Sequence, residues 1–361
     1  MKKVRAWMGA IAAVGCVIEM ASPAHADNAF TLMFGQQTVT TSEARSYVMP
    51  QALGFFKEEG IDVTLQPTDG ATAEMQILAA GKGDAGLGAP SAVLLSRNAG
   101  AKIRAIYMVS PDNGTSLAVL ADGPIKEPMD LKGKKIGVMS MGASRTLDGY
   151  AMAEAAGLNS KTDVQWLPVG FGVQAGLALQ RGDVQALALW DITYADMEAN
   201  GIKMRYFTFP FQKDIFSYVY ATTDENLTKR RGDLIKVLRA ASKAEIFERT
   251  NVEAAACIFL TASGRWASTA DKPKDYKKTV DVMKQDFKSP AAPEGKIGVF
   301  PDKGWEIVRD YYYKLGVIKD KLPPEDYYVT DASFYKEVNA FDRSKIEALA
   351  KNYQNTCADA K

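Results

Sequence analysis

LAAGKGDAGL at residues 78–87 returns as LALQRGDVQA at residues 177–186, 99 positions further on. Both stretches begin Leu-Ala, pass through a basic residue and Gly-Asp (Lys82-Gly83-Asp84, Arg181-Gly182-Asp183), and re-enter a small, apolar run. The echo extends upstream, where Asp62-Val63 and Pro67 match Asp163-Val164 and Pro168 at a spacing of 101. Earlier still, FTLMFGQQTVTTSEA from Phe30 and KKIGVMSMGASRTLD from Lys134 each join an apolar run to small hydroxyl residues and then a helix-like pattern. Each half therefore reads strand, polar loop, helix, strand, helix, strand. Strands that alternate with helices imply parallel sheets with right-handed crossovers.

The chain has 361 residues, 47% hydrophobic and 24% charged, the composition of a folded protein of about two domains. Lys2, Lys3 and Arg5 precede an apolar run from Trp7 to Ile18, and Ala24-His25-Ala26 supplies small residues for cleavage. That run is far short of the roughly 20 residues needed to span a bilayer. Residues 1–26 are therefore expected to be a secretory signal peptide, and the mature chain to be periplasmic. Cleavage leaves 41 of the 44 Lys+Arg and 42 of the 43 Asp+Glu, with no basic excess to favour nucleic acid.

The single histidine, His25, leaves with the signal peptide. Without it the mature chain lacks the usual general base near neutral pH and the commonest metal ligand. No catalytic residue, cofactor or metal is expected. Cys257 and Cys357 remain, and in an exported chain they are either joined in one disulfide or stand as two free thiols.

Along the mature chain, FTLMFG and IDVTLQP read as strands, with a helix from Ala44 to Glu59 between them that Gly60 ends. The turn-like SPDNGTS marks a crossing into a second unit, and FSYVYATT a return. A long helical stretch from Asp233 to Leu260, with further helical patterns around Val280 and Trp305, is expected to pack on the first unit. Two crossings between two α/β units make a hinge suited to closure around a ligand.

The order of ALGFFKEEGIDVTL, LAAGKGDAGLGAPSAVL, DLKGKKIGV, LQRGDVQALALWD and LGVIKDKLPPEDYY resembles the periplasmic substrate-binding proteins of ABC importers. The branch is that of alkanesulfonate-, taurine- and thiamine-pyrimidine-binding proteins. The resemblance covers nearly all of the mature chain. It implies a type II periplasmic-binding-protein clamshell, two α/β lobes joined by a two-strand hinge. Lobe I would comprise residues 27–112 and 217–361, and lobe II residues 113–216. It also implies a monomer that binds a small organic anion, zwitterion or heteroaromatic and meets an ABC permease at the inner membrane. Two alternatives are a ligand-binding sensor component and a thiamine-pyrimidine-synthase-like enzyme; the missing histidine and the export signal argue against the enzyme.

The loop SMGASRT precedes a helix, so its backbone N–H groups and the helix dipole could hold an oxyanion. Ser140, Gly142, Ala143 and Ser144 are its candidates, with Arg145 adding a charge-assisted bond. Gln37, Thr38 and Thr41 occupy the matching place in the first unit. Trp190 and Asp191 resemble the Trp-Asp-Pro of alkanesulfonate-type proteins, with Ile192 in place of proline. An aromatic there can wall a ligand. An ionised Asp191 would disfavour a simple anion and favour a zwitterion or a nitrogen heteroaromatic. Ser91, Asn113, Phe171 and Gln174 complete the candidate set, each with capping or packing as the bland alternative.

Overall fold

A computed structural model describes residues 28–361 apart from 112–113, 211, 213–214, 286–289 and 358–361, and of Ser144 the backbone alone. The signal-peptide segment and Asn113 lie outside the described residues.

Among the described residues, ten strands form two five-stranded sheets of the same design. The first contains β1 (Ala29–Phe34), β2 (Asp62–Pro67), β3 (Ala85–Gly88), β4 (Ile103–Ser110) and β10 (Tyr218–Thr223), in the order β2-β1-β3-β10-β4. The second contains β5 (Thr115–Leu120), β6 (Lys135–Val138), β7 (Gln165–Pro168), β8 (Ala186–Trp190) and β9 (Met204–Phe207), in the order β7-β6-β8-β5-β9. In each, three strands run parallel and the fourth in spatial order runs antiparallel to both neighbours. The repeat read from the sequence is this repeat of strand order: β2 carries Asp62-Val63 and Pro67, while in the second sheet Asp163-Val164 leads directly into β7, which ends on Pro168.

The antiparallel strands β10 and β5 each directly follow a crossing from the other sheet, between β9 and β10 and between β4 and β5. Within β1, Leu32, Met33 and Phe34 are all buried, so side chains on both faces of the strand are covered, as in a parallel sheet with helices on both sides. Two-lobed architecture of this kind is the periplasmic-binding-protein fold.

The helix expected from Ala44 to Glu59 is broken. A 3₁₀ turn at Thr41–Glu43 leads into a π-helical turn at Ala44–Val48, then short α-helices at Met49–Ala52 and Phe55–Glu58. The interruption falls at Gly54, whose φ of 76° lies in the left-handed region that glycine tolerates. The stretch from Asp233 to Leu260 is likewise two helices, Arg231–Thr250 and Val252–Ala262, because Asn251 leaves helical geometry and caps the second through Ala254 N at 3.0 Å.

The C-terminal segment completes the first sheet. Ala105 N donates to Tyr327 O at 2.8 Å and Val329 N to Ala105 O at 2.9 Å, so edge strand β4 is paired rather than left open. Trp305 stacks on Tyr327 and Tyr328 at 6.1 and 6.0 Å beside Phe216 and Phe300. Burying each such side chain contributes roughly 1.5–3 kcal/mol. Cys257 and Cys357 are joined in a disulfide with Cα atoms 5.6 Å apart, which ties the tail to the helix Val252–Ala262.

Candidate functional site

A cavity of about 100 Å³ lies where the carboxyl ends of β1, β3, β6 and β8 converge, the place open α/β sheets offer to ligands. Both sheets contribute. Gln36, Ser42, Glu43, Arg45, Ser110, Ser217 and Tyr218 line one side, and Met139, Ala143, Arg145, Trp190 and Asp191 the other.

On the second side, the helix Ser144–Ala155 begins after Ala143, whose alanine side chain cannot cap it; no side chain caps this helix. Its first turn therefore presents backbone N–H groups and the positive end of its dipole at Ala143, a cavity-lining residue. Arg145 lies with its guanidinium 5.4 Å from the Trp190 ring centre and donates to Thr115 Oγ1 at 2.6 Å. Thr115 Oγ1 in turn donates to Asp148 Oδ2 at 3.4 Å, and the Tyr312 hydroxyl donates to Asp148 Oδ1. Burial raises the Asp148 carboxyl above its usual range, opposed by Arg145 and by the Tyr312 and Thr115 bonds. Phe171 backs Trp190 at 5.9 Å. Asp191 opens the helix Asp191–Ala199, its N–H bonded to Gly114 O at 2.8 Å. A Cβ at Gly114 would stand 3.0 Å from the Asp191 carboxyl carbon, so glycine lets the crossing pass this close.

On the first side, Thr40 and Glu43 form a capping box: Glu43 Oε2 accepts from Thr40 N at 2.8 Å and Thr40 Oγ1 at 3.0 Å. Glu43 Oε1 accepts a long 3.4 Å bond from the Tyr218 hydroxyl. Glu43 is fully buried, and burial pushes its carboxyl up to about 7 against the hydrogen bonds of Thr40, Gln36 and Tyr218. Glu74, also buried, is pushed well above the carboxylate range by burial, with Glu43 adding to the rise. Arg45 pairs with buried Glu248 at 3.3 Å.

Of the residues expected from the sequence, Ala143, Arg145, Trp190 and Asp191 meet at this cavity. Ser140, Gly142, Phe171 and the Ser144 backbone stand beside it without lining it. The Ser140 hydroxyl is buried with no hydrogen-bond partner, while its carbonyl accepts from Thr146 Oγ1 at 2.7 Å. The Gly142 carbonyl is taken by the other lobe, accepting from Thr72 N at 3.3 Å and Thr72 Oγ1 at 3.0 Å.

The remaining expectations lie elsewhere. Gln37 and Thr38 are exposed, and Gln37 reaches Thr68 O at 3.3 Å. Thr41 is buried within the 3₁₀ turn that Thr40 caps, so it holds the loop rather than the cavity. Ser91 is buried in the first turn of the helix Pro90–Asn98, bonded to the Tyr312 hydroxyl. Gln174 is exposed on the helix Val173–Gln180.

Glu43 and Tyr218 escape a sequence reading because Glu43 looks like a helix cap and its partner lies 175 residues away. The signal was the Thr40-x-x-Glu43 pattern, which can mark a cap and a cavity acid at once. Among the described residues, no group of three or more His, Cys, Asp or Glu could hold a metal ion, and no helix is long and apolar enough to cross a membrane.

Residues 42–252 match the NMT1/THI5 like family. A Brucella abortus (strain 2308) protein described as a "Putative binding protein" is 23% identical over 282 residues, 77% of this chain and 84% of the relative. The periplasmic aliphatic sulphonate binding protein SsuA from Escherichia coli superposes with a TM-score of 0.61 at 17% identity, over 83% of this chain and 92% of that one. At lower similarity, the desulfurization enzyme DSZB has the same fold, with a TM-score of 0.52 at 15% identity over 86% and 98% of the two chains. At these identities the solved structures speak to the fold alone.

Proposed function

The chain belongs to the NMT1/THI5 like family, and from that premise we propose that it is an exported solute receptor of an ABC importer. In this reading residues 1–26 are removed on export, and the mature protein captures a small organic molecule between its lobes. Residues 27–112 with 217–361 form one lobe, and 113–216 the other. The ligand is an anion, zwitterion or heteroaromatic of sulfonate-, taurine- or pyrimidine-like size. The closed form is what the permease of the inner membrane recognises.

The observation that carries this is the cavity itself, lined from both sheets at their parallel-strand carboxyl ends. Closing the lobes about the two crossings assembles that lining. Polar contacts between the halves accompany closure: Thr72 with Gly142, Tyr312 with Asp148, and Lys278 with Asp196. Ala143, Arg145, Trp190 and Asp191 would hold the ligand from lobe II, through helix N–H groups, a fixed guanidinium and an aromatic wall.

A thermal-shift panel on ligand-stripped mature protein tests it, with taurine, alkanesulfonates, aromatic carboxylates, pyrimidines and nitrate. Ligand at 100 times its dissociation constant adds roughly 2.7 kcal/mol of stability, which a melt resolves. A shift with one chemical class supports the receptor; no shift, together with no small molecule in native mass spectra of unstripped protein, overturns it.

A further inference from the structure

Arg145 ends a long, rotamer-rich side chain, yet its guanidinium is held from two directions. Its Nη1 donates to Thr115 Oγ1 at 2.6 Å, and its Cζ lies 5.4 Å from the Trp190 ring centre. Thr115 passes the contact on through the same hydroxyl, which donates to Asp148 Oδ2 at 3.4 Å, while the Tyr312 hydroxyl donates to Asp148 Oδ1. Ser91 bonds the Tyr312 hydroxyl in turn. Thr115, Asp148, Tyr312 and Ser91 are each 5% exposed or less, so water competes little for these bonds.

This chain of bonds crosses between the two halves of the molecule. Arg145 and Asp148, three residues apart, share one face of the helix Ser144–Ala155, whose Met152 and Ala153 belong to the core of the second sheet. Tyr312, on the helix Gly304–Lys314, belongs to the core of the first. Thr115 begins β5 directly after the crossing from β4, and its carbonyl accepts from Gln212 Nε2 on the return crossing between β9 and β10. Asp148 is the fifth residue of its helix and caps nothing, and burying a carboxyl is costly unless its oxygens are bonded. The bonds it receives come from the hinge and from the opposite half.

Resting on the receptor reading, we infer that Thr115, Asp148 and Tyr312 are positioning residues: Thr115 and Asp148 hold the Arg145 guanidinium in the cavity, and Tyr312 completes the hold from the opposite lobe as the lobes close. Arg145 uses one N–H on Thr115, and a guanidinium carries five. The others serve the ligand, and a guanidinium already pinned loses little freedom on binding. Tyr312 reaches Asp148 only across the seam between the halves, so parting the lobes breaks this bond and closing them restores it. Ligand contact at Arg145 and lobe closure thereby favour one another.

Two measurements on ligand-stripped mature protein test the inference. The first needs no ligand and follows the guanidinium by nuclear magnetic resonance of isotope-labelled arginine, with the Arg145 signal identified by its loss in Arg145→Gln. The native protein should show separate resonances for the two Nη atoms, as restricted rotation gives, and Thr115→Val a single averaged one. The second is calorimetric titration with taurine, ethanesulfonate, benzoate and 4-aminopyrimidine. For a probe that binds, Thr115→Val should weaken binding about tenfold, and in the Arg145→Gln background it should cost nothing further. Tyr312→Phe should weaken the same probe about threefold and leave the ligand-free Arg145 signal as in the native protein, because Thr115 and Asp148 lie in the same half as Arg145. Asp148→Asn, which keeps the side-chain shape, replaces Thr115→Val in both measurements if that variant does not fold.

Unchanged affinity in Thr115→Val, a loss of the same size in the Arg145→Gln background, or an averaged Arg145 signal in the native protein would overturn the inference and leave a receptor in place. If no probe binds, or Arg145→Gln binds none, the spectra alone decide for or against the positioning role. Whether the protein is a receptor is then decided separately, by the molecule that unstripped protein carries.

Discussion

Replacing the buried acid at the cavity by its amide, Glu43→Gln, should change how stability depends on pH before any ligand is added. The Glu43 carboxyl has an ordinary value of 4.5 and is pushed up to about 7 in the folded protein, chiefly by burial. Between those values the folded state keeps a proton that the unfolded chain has released. Stability therefore falls as pH rises through this window, and the loss is complete above about 7. At 1.36 kcal/mol per unit, the shift corresponds to about 3 kcal/mol, with no discount for solvent because the group is fully buried. The amide does not titrate, so the variant lacks this term. Urea unfolding of both proteins at pH 4.5, 6, 7 and 8 reads it directly. Glu74 titrates in both proteins and largely cancels in the difference. The variant should gain about 3 kcal/mol on the wild type between pH 4.5 and pH 8. A difference that stays constant across that range would refute the burial argument for Glu43.

Further outcomes follow from the same contacts. Tyr312→Phe removes the hydroxyl that bonds buried Asp148, and should cost about 1–3 kcal/mol in urea unfolding because a buried carboxyl loses one of its hydrogen-bond donors. Gly70→Ala places a Cβ 2.9 Å from the Gly142 carbonyl on a backbone of φ 88°, so ligand affinity should fall tenfold or more as the lobes are held apart; titration with whichever probe binds measures it. Cys257→Ala with Cys357→Ala opens a loop of 100 residues and should lower the unfolding free energy by about 4–5 kcal/mol, seen as a drop in the urea midpoint that reductant reproduces in the native protein.

The doubled architecture was legible because strand-helix periodicity is a local property and the two Gly-Asp joints lie at equivalent places before β3 and β8. Asp84 illustrates why such joints recur: it accepts from Thr31 N at 2.7 Å and pairs with Arg230, fastening β1 to the start of the helix Arg231–Thr250. Trp190, Asp191 and the loop leading to Arg145 were legible for a related reason, since strand ends that enter helices face the cleft in any open α/β sheet. What stayed hidden depends on contacts distant in sequence. Gly142 was expected to meet a ligand, yet its carbonyl is claimed by Thr72 from the other lobe. Glu43 and Tyr218 come together only when β10 returns to the first sheet. Similarly, Thr41 was expected as a ligand contact, yet it is buried in the 3₁₀ turn that Thr40 caps, a one-residue distinction that sequence pattern does not resolve.

The most direct measurement is a crystal structure of the mature protein with the small molecule it carries on purification, or with the tightest probe. The expected result is ligand density between the two lobes, in contact with Trp190 and Arg145 on one wall and with the Glu43–Tyr218 corner on the other. Ligand bound outside this cavity, or a cavity that stays closed to every probe the protein binds, would contradict it.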